Sequence, residues 1–235
     1  LTSAAQTFLH NNSTIELSVV LPVYNKQNSI PIVLQAVEEV IQHTLKLNSY
    51  EIIFVDDAST DKSLEVLRGI KNSSVVVLQH EINGGQLKAV ETGMYAAQGN
   101  AVAFYSCDMQ NSFKTIAPLY QAIQNGHDLA IGSRTWRSDT GMSVVLSKVF
   151  YRLLSVVDSR MPQGGFDFGI LNREVRNALL QTDFTNKFAQ LVLLDLAKNV
   201  WILPASRIND SNDKSSWSLS EKIKYAYKAF IHRKK

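Results

Sequence analysis

Three short polar segments each stand directly behind an apolar, β-branched run: Pro22-Val23-Tyr24-Asn25, Asp56-Asp57-Ala58-Ser59-Thr60-Asp61 and Ser106-Cys107-Asp108-Met109-Gln110. Their acidic residues are the ones that could do chemistry. Asp56 and Asp57 can accept hydrogen bonds from the N–H groups of a nucleotide base or from ribose hydroxyls, while Asp in such a place also serves as a helix cap or turn residue. Asp108 reads either as a strand-end turn residue or as a ligand for Mg²⁺ or Mn²⁺, hard cations that take oxygen donors from one or two carboxylates together with substrate phosphates. The motifs of competing cofactor chemistries are absent. No glycine fingerprint for a dinucleotide follows the first apolar run, no Gly-x₄-Gly-Lys-Ser/Thr loop is present, and His10, His43, His80, His127 and His232 are dispersed, with Cys107 as the lone cysteine, so zinc spacing is missing as well.

Positioning those segments falls to an alternation of short strands and helices. The spacing predicts strands near 16–22, 50–56, 74–79, 101–106 and 128–132, with helices at 30–47, 61–70, 85–97 and 113–125 between them. A Gly164-Gly165 turn, helices from Asn172 and over 185–198, and a strand over 200–204 follow. Such βαβ order predicts an α/β fold, a mostly parallel sheet flanked by helices in a single domain. Open parallel sheets bind ligands at the carboxyl ends of their strands, where all three polar segments fall.

In this order the segments resemble family 2 glycosyltransferases of the GT-A (Rossmann-like) fold, from Leu17 to the C-terminus. Leu17–Asn25 and Val55–Asp61 resemble the family's first two strands with their nucleotide loops, and Asn83-Gly84-Gly85 with Ala89, Gly93, Ala97 and Gly99 fits the helix before the metal strand. Ser106–Gln110 stands in the place of an Asp-Ala-Asp-Leu-Gln metal motif, Gly132-Ser133-Arg134 closes the fifth strand, and Asp167–Arg173 looks like the acceptor-side Asp-Phe segment. Within the family the polyprenyl-phosphate branch, which includes dolichyl-phosphate mannose synthase, is most similar. Arg207 and Ser215-Ser216-Trp217-Ser218-Leu219 resemble its tail motif, with Asp213 in place of a glycine and the arginine about three residues farther upstream.

The resemblance implies an inverting transfer of a sugar from a nucleotide-diphosphate sugar to a polyprenyl phosphate or a growing surface glycan, assisted by Mg²⁺ or Mn²⁺. Pro22, Tyr24, Asn25, Asp56, Asp57, Ser59, Asn83 and Gly85 are then the nucleotide-binding positions, and Asp108 with Gln110 the metal ligands. Asp167 is the catalytic base for a hydroxyl acceptor. A phosphate acceptor, with a second pKa of roughly 6, is already ionised and needs little such help. Arg134, Arg137, Lys148 and Arg152 are cations that could meet an acceptor phosphate. Arg207, Ser215 and Trp217 join them through the tail motif. Two positions depart from the pattern: Ser106 replaces the first aspartate of the metal motif, and Lys26 replaces a glutamate that commonly follows Tyr-Asn. A second reading follows from them, a non-catalytic nucleotide-sugar binding module with a degenerate metal motif.

Charge divides the chain unevenly. Residues 214–235 carry seven of the 24 basic and one of the 21 acidic side chains, a net +6, which leaves residues 1–213 at −3 within the overall +3. The predicted division is a catalytic domain over 1–213 and a basic amphipathic tail over 214–235, with Leu219, Ile223, Ala226, Tyr227 and Phe230 on one helical face. A second apolar stripe runs over 142–157. No run approaches the ~18 apolar residues of a membrane-spanning helix. The lone cysteine and the basic tail together predict a cytoplasmic protein at the inner face of a membrane, and the acidic rim argues against nucleic acid as a partner.

Overall fold

The computed structural model describes residues 15–107, 112–134, 151–152, 154–156, 158–162, 164–182 and 188–205. Continuously apolar runs form β1 (Leu17–Val23), β2 (Tyr50–Asp56) and β4 (Ala101–Phe104), buried along nearly their whole length, and the half-buried edge strand β3 (Val75–Gln79). Strands of this kind belong in a sheet covered on both faces. With β5 (Leu129–Arg134), β6 (Gly169–Asn172) and β7 (Val200–Ala205) they make a seven-stranded sheet in the order β3-β2-β1-β4-β6-β5-β7. Every pairing is parallel except those of β6, which runs antiparallel to both β4 and β5.

Helices cover both faces. They are α1 (Ile30–Glu39), extended by a π-helical turn over Val40–Leu45, then α2 (Ser63–Arg68), α3 (Gln86–Ala96), α4 (Ile116–Gln124), α5 (Arg173–Leu180) and α6 (Ala189–Leu196). Strand periodicity sends Leu17, Val19, Leu21, Ile52 and Phe54 to one face, where Ile30, Val33 and Val37 of α1 and Ile116 and Leu119 of α4 meet them. Val20, Ile53 and Val55 point the other way, onto Ala89 and Met94 of α3, Val175 of α5 and Leu191 and Leu194 of α6. Each such side chain, fully buried, contributes about 1.5–3 kcal/mol. Asn172 caps α5, its side chain accepting from the Val175 N–H at 2.8 Å.

The sequence expectation of a single α/β domain with a mostly parallel sheet agrees with this architecture, and two details differ. β4 ends at Phe104, not at Ser106, because the Tyr105 ring turns into an aromatic cluster with Phe113 and Phe168. β6 has no counterpart among the expected strands. Its four residues are too short for an alternating pattern, and only the pairing with two neighbours holds them extended.

Register aligns the strand ends that matter. Val23 pairs with Asp56, and Asp56 with Gln79, so the segments after β1, β2 and β3 emerge side by side on one rim. Among the described residues no helix is long and apolar enough to cross a membrane. The expected tail over 214–235 and most of the 142–157 stripe lie outside the described residues.

Candidate functional site

The rim is built by two loops bound to each other. Asn25, in the left-handed conformation at φ 53°, accepts at Oδ1 from the Thr60 N–H at 2.8 Å and the Asp61 N–H at 3.3 Å, and its own N–H donates to Ser59 Oγ at 3.0 Å. Lys26 N–H donates to Ser63 Oγ at 2.7 Å, Gln27 N–H to Asp61 Oδ2 at 3.3 Å, and Lys62 N–H to Gln27 Oε1 at 2.9 Å. Side chains here replace the backbone partners that irregular chain lacks. Asn25 and Ser59, two of the expected nucleotide contacts, therefore act first on each other's loops.

Ala58 completes this turn at φ +56°, a conformation costing an L-residue with a Cβ roughly 1–2 kcal/mol. Ala58→Gly is expected to stabilise the protein by about 1 kcal/mol, raising the midpoint of thermal unfolding by roughly 2–4 °C for a chain of this size. Differential scanning calorimetry checks this, and a lowered midpoint would contradict the assignment of strain to this residue.

The two aspartates behind β2 are differently engaged. Asp56 is 1% exposed; its Oδ2 accepts from the Ser59 N–H at 3.2 Å, and its Oδ1 has no hydrogen-bond partner among the described residues. A buried carboxylate oxygen left open costs free energy unless something else supplies a donor. Asp57 has no such vacancy: Oδ1 accepts from the Gly84 N–H at 2.8 Å and lies 2.7 Å from His80 Nδ1, and Oδ2 accepts from the Gly85 N–H at 2.7 Å. Burial raises the Asp57 pKa, but the Gly84 N–H, the His80 ring and the Gly85 N–H outweigh it and hold the carboxyl below its ordinary value. Asp57 thus secures the Asn83–Gly85 turn, in which Gly85 sits at φ +84° before α3. Pro22 lies in β1, and Tyr24 stands exposed beyond its end.

On the other side of β4, Tyr105 is wholly buried, its ring 5.0 Å from Phe168 and 5.6 Å from Phe113. Its hydroxyl lies 2.9 Å from Thr115 Oγ1, which donates to the Ser112 carbonyl at 2.6 Å, so the phenol proton is directed to Thr115. Burial pushes the Tyr105 phenol far above its ordinary pKa, and the nearby Asp167 charge adds to the shift. Asp167 itself is half-buried, directly before Phe168, and the side-chain amide of Gln190 in α6 donates to the Phe166 carbonyl beside it. The candidate base is therefore held by packing from both chain neighbours.

Of the expected acceptor cations, Arg134 is the last residue of β5, and Arg152 is described and exposed. Arg137, Lys148, Arg207, Ser215 and Trp217, with the expected metal ligands Asp108 and Gln110, lie outside the described residues. Among the described residues no cluster of three or more His, Cys, Asp or Glu could hold a metal. The chemistry of the segment's donor set, a Ser106 hydroxyl, an Asp108 carboxylate and a Gln110 carbonyl, is all oxygen and suits Mg²⁺ or Mn²⁺. Sequence reasoning missed His80, Tyr105 and Gln190. His80 has a legible signal in standing one residue past β3; Gln190 has none, since its partner is a carbonyl 24 residues away.

A mostly parallel seven-stranded α/β sheet with the Asp56-Asp57 pair at the end of β2 is a fold of the GT-A kind. The profile of Glycosyl transferase family 2 matches residues 18–180, and the chain belongs to that family. It is 31% identical over 180 residues to the glycosyltransferase YkcC of Bacillus subtilis, covering 75% of this chain and 55% of that one. It is 27% identical over 222 residues to the undecaprenyl-phosphate 4-deoxy-4-formamido-L-arabinose transferase of Aeromonas hydrophila, covering 92% and 68%. Thus the relatives include transferases of the polyprenyl-phosphate branch, and the chain spans little more than half the length of YkcC. Glucosyl-3-phosphoglycerate synthase of Mycobacterium tuberculosis, solved with Mn²⁺, UDP-glucose and phosphoglyceric acid, has the same fold, with a TM-score of 0.65 at 16% identity over 93% of this chain and 79% of that one.

Proposed function

We propose that the chain is the catalytic domain, residues 1–213, of an inverting glycosyltransferase that moves a sugar from a nucleotide-diphosphate donor to a polyprenyl phosphate, with a growing glycan as the alternative acceptor. The observation that carries the donor assignment is Asp56 Oδ1, buried and without a hydrogen-bond partner among the described residues, with exposed Tyr24 one residue beyond its register partner Val23. That oxygen can only accept, so it favours a base presenting a ring N–H, as uracil and guanine do. Asn25, Ser59 and Asp57 keep the loops around it in place, Tyr24 offers an aromatic face to the base, and Asn83 and Gly85 form the neighbouring turn.

Asp108 and Gln110 are the residues that would hold Mg²⁺ or Mn²⁺, which when bound supplies charge neutralisation to the departing diphosphate. Asp167 accepts the proton of a hydroxyl acceptor; with a phosphate acceptor, already ionised, it positions neighbouring groups instead of taking a proton. Arg134 and Arg152 are the described cations assigned to the acceptor phosphate, and the basic tail over 214–235 is assigned to a membrane surface carrying the lipid. Ser106 specifically favours a second reading, a binding module without turnover, because it removes one carboxylate from the metal motif.

Asp56→Asn tests the donor assignment. It keeps the shape and one acceptor oxygen but removes the charge, and hydrogen bonds to charged groups are worth about 1.5–3 kcal/mol. The expected loss of affinity for uridine or guanosine diphosphate is therefore about 10–100-fold in calorimetric titration. Unchanged affinity would remove Asp56 from the site.

A further inference from the structure

We propose that His80 is a positioning residue of the donor site, acting through Asp57 to fix the Asn83–Gly85 turn. The inference rests on the donor-site reading above and extends it to a residue one position beyond β3. His80 is mostly buried, and both ring nitrogens are engaged: Nδ1 lies 2.7 Å from Asp57 Oδ1 and Nε2 lies 2.8 Å from Thr92 Oγ1 on α3. An ionised carboxylate has no proton to give, so the Nδ1 proton belongs to the ring and is donated to Asp57. In the neutral ring Nε2 is then the acceptor for the Thr92 hydroxyl. The His80 N–H also donates to the Asp56 carbonyl at 2.8 Å, which fixes the ring's backbone against the same pair of aspartates.

Asp57 is the hub of this arrangement. Its carboxylate bridges the ring to two successive backbone N–H groups, those of Gly84 and Gly85. Gly85 stands at φ +84°, and among the described residues its N–H otherwise meets only Asn83 Oδ1, at 3.2 Å. Rotation of the Asp57 carboxylate would release both amides together, and the ring, held to the same Oδ1 as the Gly84 N–H, opposes that rotation. Thr92 anchors the ring to the helix that the turn begins, so β2, β3 and α3 are joined at one point beside Asp56.

Three variants separate this role from simple packing. His80→Asn retains an amide N–H where Nδ1 stood, His80→Gln places one nearer the Nε2 position, and His80→Leu retains neither. With uridine or guanosine diphosphate and Mn²⁺ as the probe, whichever the wild-type chain binds, His80→Leu and His80→Gln are expected to weaken binding about tenfold. His80→Asn is expected to remain within about threefold of wild type. Thermal unfolding is followed in parallel. Equal affinity in wild type and His80→Leu would overturn the positioning role while leaving the donor site intact. A loss that tracks the unfolding midpoint through all three variants, His80→Asn included, would overturn it in favour of packing. Failure of the wild-type chain to bind either diphosphate would instead overturn the donor-site reading, and this inference with it.

Discussion

Gly132→Ala is expected to lower stability by about 3 kcal/mol and turnover by about a hundredfold. A Cβ at position 132 would stand 1.9 Å from Phe168 Cζ and 2.2 Å from Cε2, distances no real pair of carbon atoms adopts. Neither partner can retreat cheaply. Gly132 is fixed by pairing with Leu203 of β7 and by its N–H donating to the Phe168 carbonyl at 3.2 Å, while the Phe168 ring is 2% exposed with Tyr105 packed against it. Overpacking costs about 1–3 kcal/mol, and the upper end expected at this site lowers the unfolding midpoint of a chain of this length by roughly 6–12 °C. The catalytic effect follows from adjacency: Asp167, the proposed base, precedes Phe168, and misplacing a catalytic group by about 1 Å is enough for a 10²-fold loss. Adding Phe168→Leu to Gly132→Ala is expected to recover part of both losses, because the shorter side chain vacates the space the methyl needs. Calorimetry and initial rates on the single and double variants check this, and a Gly132→Ala protein with wild-type unfolding and turnover would contradict the packing account.

Asp108→Ala is expected to reduce turnover by about a thousandfold or more with little change in the unfolding midpoint. Charge stabilisation of a leaving diphosphate is worth several kcal/mol, and each 1.36 kcal/mol is a factor of ten in rate. Because Ser106 replaces the first carboxylate of the motif, the proposed metal assignment leaves Asp108 to carry more of the anionic charge than it would in a two-aspartate segment. The same logic gives the reciprocal result: Ser106→Asp is expected to lower the Mn²⁺ concentration needed for half-maximal rate. Rates measured across a Mn²⁺ titration check both variants. Full activity in Asp108→Ala would sink the assignment of that residue.

Much of this architecture is legible in the amino-acid order because β1, β2 and β4 are buried on both faces. Val19-Val20-Leu21 and Ile52-Ile53-Phe54-Val55 read as strands from composition alone, and the polar residues that break those runs mark the rim. β6 is not legible, since Gly169–Asn172 becomes a strand only through its two antiparallel neighbours. The site divides in the same way. The pair Asp56-Asp57 is visible as a motif, yet the motif does not reveal that one carboxylate is open and the other consumed by Gly84, Gly85 and His80, partners at least 23 residues away. Nor does it reveal that Asn25 and Ser59 spend their polar groups on each other's loops. Long-range hydrogen bonds have no local signature, so function at the level of residue types is readable where the division of labour between them is not.

The unpartnered Oδ1 of Asp56, the loops that frame it and the family to which the chain belongs are the basis for the proposed sugar-nucleotide turnover. The most direct test incubates the full-length protein in vesicles containing a polyprenyl phosphate with UDP- and GDP-sugars and Mn²⁺, and follows nucleoside diphosphate release together with the anomeric configuration of the glycolipid. The account predicts release that requires the divalent cation, matches glycolipid formation mole for mole and yields the inverted anomer. Binding of the sugar nucleotide with neither diphosphate release nor glycosylated product would contradict it and leave a binding module in place of an enzyme.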